Sequence, residues 1–183
     1  VFILIFIALR IPSVQDRLLD IGLANLINAA ESPLTQEDAL SAIVCGSRSP
    51  LPNPDRAETC ILVKAGERVF IVDTGDGSAS NLRTFGIPFE FEAILITHLH
   101  SDHISDLQDF HLGSWVTGRK SKLKVYGPEG IKTVTNGFEQ AYSLDAKYRY
   151  EHHGDEVVVE KAFGYEAITL LENTEPFLSL IHI

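Results

Sequence analysis

The sequence predicts an α/β domain, a mixed β-sheet with flanking helices, on two observations. From residue 40 onward, short apolar runs rich in β-branched residues follow one another, and the later ones are separated by a helical pattern. A chain of 183 residues with 45% hydrophobic content, no Pro/Gly linker and no internal repeat is long enough for one domain with a core of its own.

Taken in order, Val1 to Leu9 is an unbroken apolar run closed by Arg10, shorter than the roughly 20 residues that cross a hydrocarbon core. Pro12 to Ala30 follows, where Val14, Leu18, Ile21 and Leu26 approximate a helical stripe suited to a domain surface or a membrane surface. With no methionine in the chain, residues 1–30 read as the remnant of an anchor or signal segment, with a buried N-terminal strand at Val1 to Leu9 as the alternative. That favours a membrane-anchored or exported, periplasmic location and some membrane association. The domain proper is expected over 40–176. Its strands are Leu40–Cys45, Thr59–Lys64, Val69–Val72, Phe91–Thr97 and Leu123–Tyr126, with a helix over Ile104–Trp115 whose Ile104, Leu107, Phe110 and Trp115 share one side. The tail 177–183 is of doubtful origin, read as a further strand or, in preference, as foreign sequence.

The chemistry gathers at His98-Leu99-His100-Ser101-Asp102-His103. Three of the chain's seven histidines and one aspartate lie in this hexapeptide, and converging imidazole and carboxylate groups are donors for a borderline divalent cation. If the preceding strand persists into the motif, His98 and His100 project from one face toward one ion. Asp102 and His103, at the turn into the helix, can then aim at a second ion. Asp73 ends an apolar strand, so its carboxylate needs hydrogen bonds or nearby cations; with Gly75 and Gly77 beside it, a plain turn is the competing reading.

The hexapeptide has the form His-x-His-x-Asp-His and resembles the signature of the metallo-β-lactamase superfamily of dinuclear metallohydrolases. Val69 to Gly77, a strand ending in Asp-x-Gly-x-Gly, lies upstream as it does in that superfamily. Gly46-Ser47-Arg48-Ser49-Pro50-Leu51-Pro52 and Leu123-Lys124-Val125-Tyr126-Gly127-Pro128-Glu129-Gly130 are similar to its ribonuclease Z and arylsulfatase-like branch. The resemblance covers about residues 42–135. It implies the N-terminal half of an αββα sandwich, with His98 and His100 on one metal, Asp102 and His103 on the other, and Asp73 in support. It also implies a water activated between two ions and oriented by Asp102, which is the catalytic residue in this reading. Zinc is expected, two ions per complete site, with manganese or iron tolerated by the same donors. The family draws a third histidine, a bridging aspartate and a last histidine from later strands. Only His182 stands late in this chain, so the polypeptide as written is expected to hold half a site and to be inactive by itself.

The remaining signals are weaker. Cys45 and Cys60 make no Cys-x-x-Cys pair and read as buried free thiols, or as a disulfide in an exported chain. His111 reads as covering the edge of the core, and Gly127-Pro128 as a turn. Tyr148 to Asp155, with His152 and His153, reads as a solvated turn between strands or the mouth of a substrate site. The net charge of −10 opposes binding to phosphodiester backbones; Arg119, Lys120, Lys122 and Lys124 form a local patch that could act against that mean field, with a solvated loop as the favoured reading. Three functions follow. The first is a hydrolase of small phosphate or sulfate esters, a phosphodiesterase or arylsulfatase-like enzyme, favoured by the acidic charge and the export segment. The second is a cytoplasmic ribonuclease Z acting on tRNA, and the third a non-catalytic binding protein on the same fold. A homodimer is a further expectation.

Overall fold

The computed structural model describes residues 38–171 together with Ile11, Val14, Gln15, Arg17 and Leu34. The chain divides between Pro33 and Leu34, and everything below concerns the second unit. Its elements are β1 (Leu40–Gly46), β2 (Cys60–Ala65), β3 (Arg68–Val72), α1 (Ser78–Thr84), β4 (Ala93–Leu95), α2 (Ser101–Ile104), α3 (Leu107–Val116), β5 (Leu123–Gly127), α4 (Ile131–Ala141), α5 (Ser143–His153), a 3-10 turn at Glu160–Ala162 and β6 (Tyr165–Thr169). The six strands form one sheet in chain order, antiparallel from β1 to β3 and parallel from β3 to β6. This is the mixed α/β fold with flanking helices that the sequence predicts.

Local chemistry explains the switch from hairpins to crossovers. β2 and β3 pair as far as Ala65 and Arg68, leaving a two-residue turn whose first residue, Gly66, has φ 58°, the positive value such hairpins demand. After β3 each parallel strand is reached through a helix, as a parallel connection requires. One sheet face, carried by Ile43, Leu62, Ile71, Ile94, Val125 and Ala167 in register, packs with Leu82, Leu107, Phe110 and Ile131 of the helices into the main core. On the other face Val44 and Ile61 are exposed and Val72, Leu95, Tyr126 and Ile168 half-buried, so an apolar row crosses all six strands.

Several expectations are corrected here. β4 is three residues long instead of reaching Thr97, because the Thr97 N–H leaves the ladder and donates to the Asp73 carboxylate at 2.8 Å. The single helix over Ile104–Trp115 is two, α2 and α3, broken at Asp106 (φ −89°, ψ 6°), whose N–H donates to the Thr74 carbonyl at 2.8 Å and not to a carbonyl one turn back. Tyr148 to His153 is helical and not a turn between strands; α5 buries Ala146 against Trp115 and Val158. His111 lies inside the core at 0% exposure, with Nε2 accepting the Gly164 N–H at 2.9 Å; burial first, then Arg119, lowers its pKa to about 3, so the ring is neutral.

Cys45 and Cys60 form a disulfide, both fully buried, and are not free thiols. The register shift after Val44 sets Cys45 beside the start of β2, with the two Cα atoms 5.0 Å apart. The bond closes a 15-residue separation, a loop worth about 3 kcal/mol of lost unfolded-state entropy. The double variant Cys45→Ala/Cys60→Ala is expected to lose that amount. Its urea midpoint measures the loss, and a midpoint equal to the parent's would refute it.

The apolar run Val1–Leu9, most of the stripe over 12–30, and the tail 177–183 with His182 lie outside the described residues. Among the described residues no helix is long and apolar enough to cross a membrane.

Candidate metal centre

Three loops meet at the carboxyl ends of β3, β4 and β5, where ligand sites of parallel sheets lie. The β3 loop carries Asp73, Thr74 and Gly75, and the β4 loop carries Thr97 to His103. The β5 loop is the Gly127–Gly130 turn, as the sequence reading favoured: the Pro128 carbonyl accepts the Ile131 N–H at 3.1 Å, and Gly130 takes φ 97°. A Cβ on Gly130 would stand 2.9 Å from Leu99 Cδ1, so this turn backs the histidine loop.

Asp73 is the hub, at 3% exposure and in the left-handed region at φ 59°. Such a conformation costs a non-glycine residue about 1 kcal/mol. Here the main-chain N–H still reaches the Leu95 carbonyl at 2.9 Å while the side chain turns under the motif. Its carboxylate accepts the Thr97 N–H (2.8 Å), the Thr97 hydroxyl (2.8 and 3.0 Å) and His103 Nδ1 (2.8 Å). The competing reading of Asp73 as a plain turn residue gives way to these contacts.

The network fixes both ring tautomers. The one hydroxyl proton of Thr97 goes to Asp73, so Thr97 Oγ accepts from His98 Nδ1 at 3.1 Å. His103 gives its Nδ1 proton to Asp73 directly. Both rings are thus held at Nδ1 and turn Nε2 outward: for His98 it stands 3.1 Å from His100 Nδ1 and for His103 it stands 3.5 Å from Asp102 Oδ2. At His103 a ring nitrogen faces a carboxylate oxygen, and a divalent cation between the two would take both as donors. Two donors held about 2.0–2.1 Å from a tetrahedral ion stand about 3.3 Å apart, so both pairs have the spacing of a coordination edge. Among the described residues no three or more His, Cys, Asp or Glu side chains are grouped to hold an ion; the donors meet in twos. His98 and His100 are exposed while Asp102 is 7% exposed. The four residues predicted from sequence are thus brought together by loop geometry, and not by strand alternation.

Thr74, Thr97 and Asp106 escaped the sequence reading as parts of this site. For Thr97 the signal was a hydroxyl residue directly before the motif. Asp106 accepts the Ala79 N–H at 3.0 Å, pinning the start of α1 to the motif loop; burial raises its pKa, against the opposing backbone bonds from Ala79 and Gly77. His152 and His153 are exposed at the end of α5, their rings 4.5 Å apart. Arg119 is turned into the fold, donating to Ser114 Oγ at 3.1 Å and to the Ser121 and Ala162 carbonyls, so the expected solvated cationic loop keeps only its lysines outside.

The metallo-beta-lactamase superfamily profile matches residues 53–171. The chain belongs to the metallo-beta-lactamase superfamily. Within the superfamily it is 41% identical over 114 residues to a Ribonuclease Z of Mycobacterium marinum, covering 60% of this chain and 41% of that protein. It is 39% identical over 120 residues to a Ribonuclease Z of Mycobacterium bovis, covering 63% and 43%. The chain thus spans about two fifths of the length of these relatives. The crystal structure of the metallo-beta-lactamase fold protein YhfI from Bacillus subtilis shares the superfamily fold, with a TM-score of 0.53 at 20% identity over 75% of this chain and 48% of that one.

These relatives correct the expected function. A hydrolase of small phosphate or sulfate esters was favoured by the net charge of −10 and by residues 1–30, yet relatives at about 40% identity are named Ribonuclease Z. Net charge is a mean over the whole surface, whereas backbone contacts are made by a few local cations. A mean of that kind carries little weight against sequence identity at this level.

Proposed function

We propose that this chain carries the metal-binding motif of a ribonuclease Z-type endonuclease that trims the 3′ end of precursor tRNA. Identity of 41% to a protein of that name is the observation that carries the reading. In this reading His98 and His100 hold one divalent ion and Asp102 and His103 another, zinc being the ion that suits the nitrogen and carboxylate mix. When bound, such ions make a nearby water more acidic and offset the charge that builds on the phosphate under attack. The protein's own part is positional. Asp73 and Thr97 hold the Nδ1 side of both rings, which leaves Nε2 as the nitrogen turned to the ion, and Asp102 would orient the attacking water.

The test is direct. Full-length protein loaded with zinc is offered a precursor tRNA bearing a 3′ trailer and, separately, p-nitrophenyl phosphate and p-nitrophenyl sulfate. Trailer removal that a chelator abolishes and zinc restores is expected. An intact trailer, with or without turnover of the small esters, would overturn the reading.

A further inference from the structure

The end of β3 grips the two halves of the motif unequally. His103 is held at its ring by Asp73, and its main-chain carbonyl accepts both the N–H and the hydroxyl of Thr74, at 2.8 and 3.2 Å. Thr74 is itself fully buried at 0% exposure. Its carbonyl takes the Asp106 N–H at 2.8 Å, and the Asp106 carboxylate takes the Ala79 N–H at 3.0 Å. A continuous run of hydrogen bonds therefore ties the His103 carbonyl to the start of α1. Asp102 shares the grip, because its carbonyl lies against Gly75 with no room for a Cβ between them. His98 and His100 are exposed, and their rings contact Thr97, His103 and each other.

We propose that Thr74 is a positioning residue for the Asp102–His103 half of the centre and leaves the His98–His100 half untouched. This rests on the reading of those four residues as metal ligands. Two donors from one threonine on one carbonyl fix the peptide plane at residue 103. That plane, shared with Ile104, sets where the Cα–Cβ bond of His103 points, and His103 carries the ring of this half. Groups that orient a ligand in this way change metal affinity by ten- to a hundredfold when removed. The fold does not depend on the hydroxyl: in Thr74→Val the branched shape stays, and the His103 carbonyl keeps the Thr74 N–H as its partner.

Cobalt(II) titration of the full-length, metal-free protein against a competing chelator, followed by visible absorption, separates the two halves, and Asp102→Ala marks which equivalent belongs to which. Thr74→Val, and Thr74→Ala as a smaller variant without the hydroxyl, are expected to weaken the Asp102-dependent equivalent about tenfold and leave the other as in the parent. Thr74→Ser should restore it. Equal weakening of both equivalents, no weakening, or a serine that fails to rescue would each overturn the role of Thr74 while the ligand assignment stands. Two equivalents indifferent to Asp102→Ala, or no cobalt bound at all, would remove the ligand assignment and the proposal with it.

Discussion

Replacing Asp73 with alanine is expected to lower the affinity for metal by ten- to a hundredfold and the stability by about 2 kcal/mol. One carboxylate accepts from Thr97 N–H, Thr97 Oγ and His103 Nδ1. Its removal takes the partner from His103 Nδ1 and releases Thr97 Oγ from its orientation toward His98, so neither ring keeps its fixed direction. Thr97 is exposed and its N–H finds water, which limits the stability loss; the buried end of His103 does not recover so easily. Backbone strain adds to the effect, because alanine at φ 59° has no local hydrogen bonds to offset a left-handed conformation. Asp73→Gly separates the two contributions. It should regain about 1 kcal/mol relative to alanine and none of the metal affinity. Metal content after dialysis and thermal melts measure both, and a glycine variant that holds metal as tightly as the parent would show that the carboxylate is not what orders the rings.

How far the site was legible in the sequence follows from the same contacts. His98, His100, Asp102 and His103 could be read because metal chemistry demands particular side chains close together in the chain, a requirement that survives any error about backbone. The backbone error was real: β4 stops at Leu95, since a side chain 24 residues away takes the Thr97 N–H, and no local pattern announces a partner at that separation. Between free thiols and a Cys45–Cys60 bond the sequence does not decide, because the pairing depends on a register shift between β1 and β2. α5 reads as polar and turn-like because it buries only Ala146, and its helicity comes from packing beside Trp115 and not from an apolar stripe. α4 was legible and passed over: Ile131, Val134, Thr135 and Phe138 recur at helical spacing, and the same residues face the core. The strands β1, β2, β3 and β5 came through within a residue or two because their apolar runs are bounded by turn residues. Charge misled most. A mean of −10 was set against a substrate class, although it describes no particular surface.

Substituting alanine at Gly75 is expected to cost about 3 kcal/mol and to disorder the Asp102–His103 pair, whereas the same change at Gly77 should cost about 1 kcal/mol and leave the pair intact. The two glycines of the Asp-x-Gly-x-Gly run are required for different reasons. Gly77 has φ 81°, but a Cβ there would meet nothing nearer than Ala57 Cβ at 3.4 Å, so its cost is conformational alone. Gly75 is not among the residues with positive φ, and its constraint is space. A methyl at Gly75 would overlap the Asp102 carbonyl on one side and Glu58 on the other, where the Glu58 carbonyl carbon lies 2.7 Å away. Neither neighbour is the free end of a flexible side chain. Glu58 is anchored by Arg48 at 3.2 Å and by the Asp76 N–H at 3.1 Å, on a strand start stapled through Cys60. The Asp102 carbonyl belongs to the four-residue turn of α2, which is held by hydrogen bonds and has no covalent staple, so the motif loop is the side that moves. The carboxylate of Asp102 then moves with its backbone, away from His103 Nε2. Thermal melts and metal content of the two variants, measured side by side, decide the point. Equal losses at both positions would mean that the run is kept for turn formation alone, with close approach to Asp102 playing no part.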